Sequence, residues 1–212
     1  MPDAAPGPRW PIWSLAILFV LIEALLILGA DTAFGIPRLR ATAINFGAFY
    51  PGILRDGVSN FLGQGWTMFL THGLLHAGIA HLFVNVVTLF SLAPAVLDRV
   101  GTGKFWLLWI GSQIGGGLGA LVLGASWAPV VGASGALFGL AGAIVAWEYA
   151  DRFISRDRLW PVARAVLLLL ALNVVIWWVL DGRLAWHTHL GGFVAGWVLA
   201  FLIDPLPRAY DP

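Results

Sequence analysis

Six stretches of this 212-residue chain stay apolar for 17 to 20 residues at a time, and that pattern limits the fold more than any other feature. They are residues 12–30, 79–97, 105–123, 133–149, 163–180 and 184–203. As a helix, a run of this length spans roughly 25–30 Å, the thickness of a bilayer's hydrocarbon core. Lipid offers no partner to a backbone N–H or C=O, so a spanning segment must satisfy its own, as helices do. Only 11% of the residues are charged, against about a quarter in a soluble domain. So few cannot cover a water-facing surface. An all-α integral membrane bundle of six transmembrane helices is expected, as a single domain over residues 1–212.

The first run, Ile12 to Ala30, competes with a secretory signal peptide. Its length exceeds the 7–15 apolar residues of such a leader, and it carries Glu23. An uncleaved span is the expectation. Residues 31–78 then form a long connection, punctuated by Pro37, Pro51, Gly35, Gly47, Gly52, Gly57, Gly63, Gly65 and Gly73. It holds aromatics but no spanning run, which predicts an interfacial loop with short helices. The later breaks are polar or helix-breaking: Asp98 to Lys104, Gly124 to Gly132, Asp151 to Trp160 and Asp181 to Arg183, with Asp204-Pro205 closing the last run. Trp10, Trp13, Trp106, Trp109 and Trp186 lie near run ends, where amphipathic rings favour the headgroup region. Basic residues set the orientation. Arg9, Arg99, Lys104, Arg152, Arg156, Arg158, Arg164 and Arg208 fall on the side of both termini, and Arg38, Arg40, Arg55 and Arg183 on the other. Eight against four places both termini in the cytoplasm and the long loop outside.

Polar residues inside apolar helices are costly and point to function. Under this topology runs two, four and six all enter from the outer face. His81 and Asn85 lie in the first turns of run two, Ser134 at the start of run four and His189 in the second turn of run six. Three separate stretches thus deliver polar groups to one layer.

Gly132-Ala133-Ser134-Gly135 opens run four, after an apolar but non-helical Ala128-Pro129-Val130-Val131. A serine at a helix N-terminus meets free N–H groups and a dipole that favour developing negative charge. That suits a nucleophile whose attack on a carbonyl creates an oxyanion. A packing patch with Ser134 as N-cap is the plainer alternative. In run six His189, Gly192, Gly196 and Ala200 share a face, and run four has a glycine ridge at Gly135, Gly139 and Gly142. Small residues let helices approach closely in lipid, so these ridges could bring the His189 imidazole to the Ser134 hydroxyl, which needs a base. Taken alone, His189 reads equally as a hydrogen-bonded core histidine. His81 and Asn85, at i and i+4, are plausible oxyanion donors or an interhelical hydrogen-bond pair. His72 and His76 would face the opposite way if the helix extended to them, His76 in a structural role, and His187 would be exposed.

These residues resemble the rhomboid family of intramembrane serine proteases. The match comprises His76-x4-His81-x3-Asn85, Gly132-Ala133-Ser134-Gly135 and His189-Leu190-Gly191-Gly192-x3-Gly196, across residues 66–204. The resemblance implies a six-helix core and a serine–histidine dyad without an acid. Ser134 would be the nucleophile and His189 the general base and acid. The Ser134 N–H with the His81 and Asn85 side chains would form the oxyanion hole. Two departures stand out. Trp66 is followed by Thr67 where many members have arginine, and Phe138 occupies a position often held by tyrosine.

The leading expectation is therefore an endopeptidase that cuts transmembrane segments of other membrane proteins near their outer end. A rhomboid-fold protein that binds membrane clients without cleaving them is the alternative, although such relatives typically lack the serine or the histidine. A transporter or metal carrier built on the five histidines fits poorly: cysteine is absent, and neither Glu23 nor Glu148 maps to the polar layer. No cofactor, metal or nucleic-acid partner is implied. The compact form resembles prokaryotic plasma-membrane members of the family.

Overall fold

The computed structural model describes residues 7–30 and 38–204. Gly35, Pro37, Pro205 and Arg208, named above, lie outside them. Among the described residues eight α-helices follow one another: α1 (Trp10–Ala30), α2 (Leu39–Gly47), α3 (Pro51–Asp56), α4 (Gln64–Thr71), α5 (Ile79–Leu123), α6 (Ser134–Ser155), α7 (Trp160–Val179) and α8 (Trp186–Ile203). A single 3₁₀ turn, His72–Leu74, follows α4. Among the described residues the only extended pairing is an isolated bridge between Phe49 and Val130.

Among the described residues four helices are long and apolar enough to cross a membrane: α1, α5, α7 and α8. At 45 residues α5 is twice the necessary length, and it breaks at Gly101, whose φ of 75° and ψ of 175° are not helical. The expected polar turn of residues 98–104 is thus corrected to one residue. Its side chains are compatible with helix, and only a backbone angle that glycine tolerates is needed to reverse the chain. Helix α6 outruns its expected end at 149 and continues to Ser155, through Asp151 and Arg152. Between α1 and α5 the chain forms the short helices anticipated there, α2 to α4.

Helix α6 lies at the centre. Its buried face includes Ala136, Leu137, Leu140, Ala143 and Ala146, packed with Leu89, Ala93, Leu108, Ala200 and Ile203 from α5 and α8. Helix α1 contributes Ile12, Leu15, Ala16 and Phe19, an inward stripe at helical spacing. By contrast α7 buries only Val162. Away from Ser134, at the other end of α6, Arg99 binds Asp151 at 2.7 Å and Asp204 at 2.9 Å, and its guanidinium lies 4.9 Å from the Trp147 ring centroid. One residue of α5 thereby ties down the ends of α6 and α8.

Candidate active site

The α6–α8 seam sets the position of the site. A Cβ built on Gly192 would fall on the carbonyl oxygen of Gly135, and one on Gly196 on that of Gly139. Backbone therefore meets backbone along both glycine ridges, and only glycine leaves room. One turn outward from Gly192, this contact carries His189 to the start of α6.

Ser134 is the first residue of α6, with Ala133 rather than Ser134 in the cap position. Its N–H precedes the first intrahelical bond and has no partner in the helix. The loop before it is non-helical, and its backbone is satisfied by the long connection: Phe49 and Val130 exchange two bonds of 2.9 Å, and Gly132 N–H donates to the His72 carbonyl at 2.9 Å. Gly132 has φ of 121°, a left-handed conformation that β-carbons resist. A Cβ there would lie 2.9 Å from His81 Nε2 and 3.7 Å from Ser134 Oγ. Histidine and serine thus border one small space that glycine leaves open.

His189 Nε2 lies 2.9 Å from Ser134 Oγ. The imidazole is 8% exposed and stacks on Phe138, with centroids 4.1 Å apart and planes 8° from parallel. Stacking therefore survives without the tyrosine hydroxyl. On its far side, His189 Nδ1 lies 2.6 Å from Asn173 Oδ1. Asn173 belongs to α7 and was not among the residues singled out from sequence. Its only signal there was being an uncharged polar side chain within an otherwise apolar run.

His81 Nδ1 accepts from the Ala77 N–H at 3.3 Å. Nε2 then carries the ring proton, facing the space above Gly132. Asn85 sits one turn deeper and is buried, and its Nδ2 donates to the His81 carbonyl at 2.8 Å. The Asn85 Oδ1 has no partner among the described residues.

The remaining histidines differ from expectation. His76 does not face away from His81, because α5 begins at Ile79 and the preceding turn folds back; the two rings are 5.4 Å apart. His187 is half-buried against Trp186, with Nδ1 3.2 Å from Thr188 Oγ1. His72 is fully buried: Nδ1 lies 2.7 Å from the Met68 carbonyl and Nε2 is 2.7 Å from Gln113 Nε2. Gln113 Oε1 in turn accepts the Ala136 N–H at 3.3 Å, capping the first turn of α6. Desolvation by burial pushes the His72 and His76 imidazoles down to about 4. Glu23 also departs from its expected place. It is 1% exposed, and Arg40 bridges it (2.7 Å) to the His76 carbonyl (3.0 Å), so a carboxylate does lie behind the polar layer. Among the described residues no group of three or more histidine, aspartate or glutamate side chains converges as a metal site.

A helical membrane protein with a serine at a helix start, hydrogen-bonded to a histidine across a glycine seam, defines the class. The sequence matches the Rhomboid domain over residues 63–205. It is 33% identical over 147 residues to the rhomboid protein YdcA of Bacillus subtilis (strain 168), covering 69% of this chain and 70% of that one. Rhomboid protease GluP of the same organism is 30% identical over 152 residues, 71% of this chain but 29% of GluP. Rhomboid-like protease 3 of Toxoplasma gondii is 34% identical over 164 residues, 71% of this chain and 57% of its own length. The chain belongs to the rhomboid family. That makes it a multi-pass membrane protein of a family whose members are generally serine intramembrane proteases.

Proposed function

We propose that this protein is an intramembrane serine endopeptidase that cleaves transmembrane segments near their outer end. The observation that carries the reading is the 2.9 Å contact between Ser134 Oγ and His189 Nε2 at the N-terminus of α6. In the reaction, His189 Nε2 takes the Ser134 hydroxyl proton as Oγ attacks the scissile carbonyl. The oxyanion forms beside the Ser134 N–H, the His81 Nε2–H and the Asn85 amide. His189 then passes its proton to the leaving amine, and the peptide C–N bond breaks. Water, deprotonated by the same imidazole, opens the acyl-enzyme to a carboxylate and restores the serine. A helical substrate hides its carbonyls in its own hydrogen bonds, so segments with small or helix-breaking residues near the cut are preferred.

The chain crosses the membrane six times in this reading, as one domain. Both limbs of α5, residues 79–100 and 102–123, count as crossings, and so does α6. The basic-residue bias places both termini in the cytoplasm, and in a prokaryote the membrane is the plasma membrane.

The test is fluorophosphonate labelling of detergent-solubilised protein, beside cleavage of a transmembrane substrate. Wild type labels and cleaves; Ser134→Ala and His189→Ala do neither. Labelling that persists in Ser134→Ala assigns the nucleophile elsewhere. An unreactive wild type that still captures membrane clients supports the non-catalytic alternative.

A further inference from the structure

We infer that Asn173 is a positioning residue that fixes the tautomer of His189 from α7; the inference rests on the Ser134–His189 reading above. The residues of α7 that are not fully exposed, Val162, Ala165, Val166, Leu169, Asn173 and Ile176, recur at helical spacing along one stripe. Asn173 is thus held on the inward side, in the middle of a helix whose other residues beyond Arg164 are all apolar. A polar group so placed in lipid is expensive unless it is partnered.

Both ends of its amide are partnered, and the partners fix which way it points. Nδ2 donates to the Leu169 carbonyl at 2.9 Å, leaving Oδ1 directed at His189 Nδ1, 2.6 Å away. Turning the amide over would set its oxygen against the Leu169 oxygen, two acceptors with no proton between them. An amide oxygen only accepts, so His189 Nδ1 must carry the ring hydrogen. Nε2 then presents a lone pair to the Ser134 hydroxyl, the state a general base requires. Phe138 fixes the plane of the ring, and Asn173 fixes its rotation within that plane and its proton. Neutral asparagine supplies orientation without the full charge of a carboxylate. The base is also oriented from the least buried of the four long apolar helices, so the seat of α7 and the competence of His189 are linked.

A merely structural Asn173–His189 bond predicts something different. Removing it would loosen helix association, seen as a small drop in thermal midpoint, and leave turnover per folded molecule unchanged. The experiment uses the full chain in proteoliposomes with a fluorogenic peptide that spans the bilayer once. It records kcat, KM and thermal midpoint for wild type, Asn173→Leu, Asn173→Asp and Ser134→Ala. Asn173→Leu lowers kcat about 10- to 100-fold, with KM within about twofold of wild type, because a group acting through the base leaves substrate binding alone. Asn173→Asp keeps an acceptor at Oδ1 and, protonated at its other oxygen, still donates to the Leu169 carbonyl, so it recovers most of the loss. Wild-type kcat in Asn173→Leu, beside an inactive Ser134→Ala, overturns this inference and leaves the dyad standing. Full activity in Ser134→Ala overturns the dyad itself. Should Asn173→Leu fail to fold, ¹⁵N NMR of histidine-labelled wild type decides, with His189→Ala identifying the resonance. A proton on Nδ1 upholds the assignment, and one on Nε2 overturns it.

Discussion

Adding one methyl group at Gly192 should separate the proposed nucleophile, Ser134, from its proposed base, His189. The Cβ of Gly192→Ala would overlap the Gly135 carbonyl oxygen, which belongs to the first turn of α6 and has no side chain to swing aside. Ordinary van der Waals contact returns only if the helices part by roughly an ångström or more. Ser134 and His189 stand one residue and three residues from that contact, so the parting is passed on to them almost undiminished. A 2.9 Å hydrogen bond lengthened by that amount lies beyond useful reach. Loss of general-base assistance costs about 100- to 10,000-fold in rate. Overpacking itself costs about 1–3 kcal/mol, small enough for the helices to stay associated. The assay pairs fluorophosphonate labelling and peptide cleavage with a thermal melt in detergent. Gly103→Ala serves as the control, since nothing lies within 4 Å of a Cβ there. A Gly192→Ala protein that keeps more than half of wild-type turnover would refute the idea that backbone contact sets the catalytic distance.

Two further outcomes follow from the site. Asn85→Ala removes one proposed oxyanion donor and should lower kcat about 100- to 1,000-fold with KM little changed; a matching loss of folded protein in the thermal melt would indicate a folding defect instead. Acid should destabilise the protein through His72, whose imidazole burial holds at about 4. Between pH 6.5 and 4 the unfolded chain binds a proton that the folded chain refuses, so stability falls as pH falls, by about 3 kcal/mol in all. A thermal midpoint that stays level from pH 7 down to 4.5 contradicts this.

The apolar helices and the polar layer at the start of α6 were legible because each rests on local rules. Apolar length marks a helix in lipid, and glycine at i, i+3 or i+4 marks the side on which another helix can come close. Ser134 and His189 could be paired from such ridges before any coordinates, since both stand one turn or less from the seam. Asn173 could not, because its meaning depends on how α7 is rotated about its axis, and a helix apolar all round gives no rotational signal. The Glu23–Arg40 bridge was hidden for a related reason. It joins α1 to a connection whose path no periodicity fixes, and Glu23 looked isolated only because its partner lies 17 residues away. The turn around Gly101 was overestimated, since charged residues at a membrane surface are as comfortable in helix as in loop. The facing of His76 depended on whether the helix reached it; α5 begins at Ile79, as the apolar run did, and Gly78, with φ of 124°, turns the chain before it.

The glycine seam also bears on how this chain can drift. Along α6 and α8 the contact is made by main-chain atoms that every codon encodes alike, so no second substitution across the seam can make room for a first. Compensation, the usual route by which cores are rewritten, is closed there. The outer faces of α7 and of the second limb of α5 are exposed and apolar and are free to exchange one aliphatic residue for another. Random libraries of this gene should therefore retain Gly192 and Gly196 nearly unchanged while the lipid-facing leucines and valines scatter.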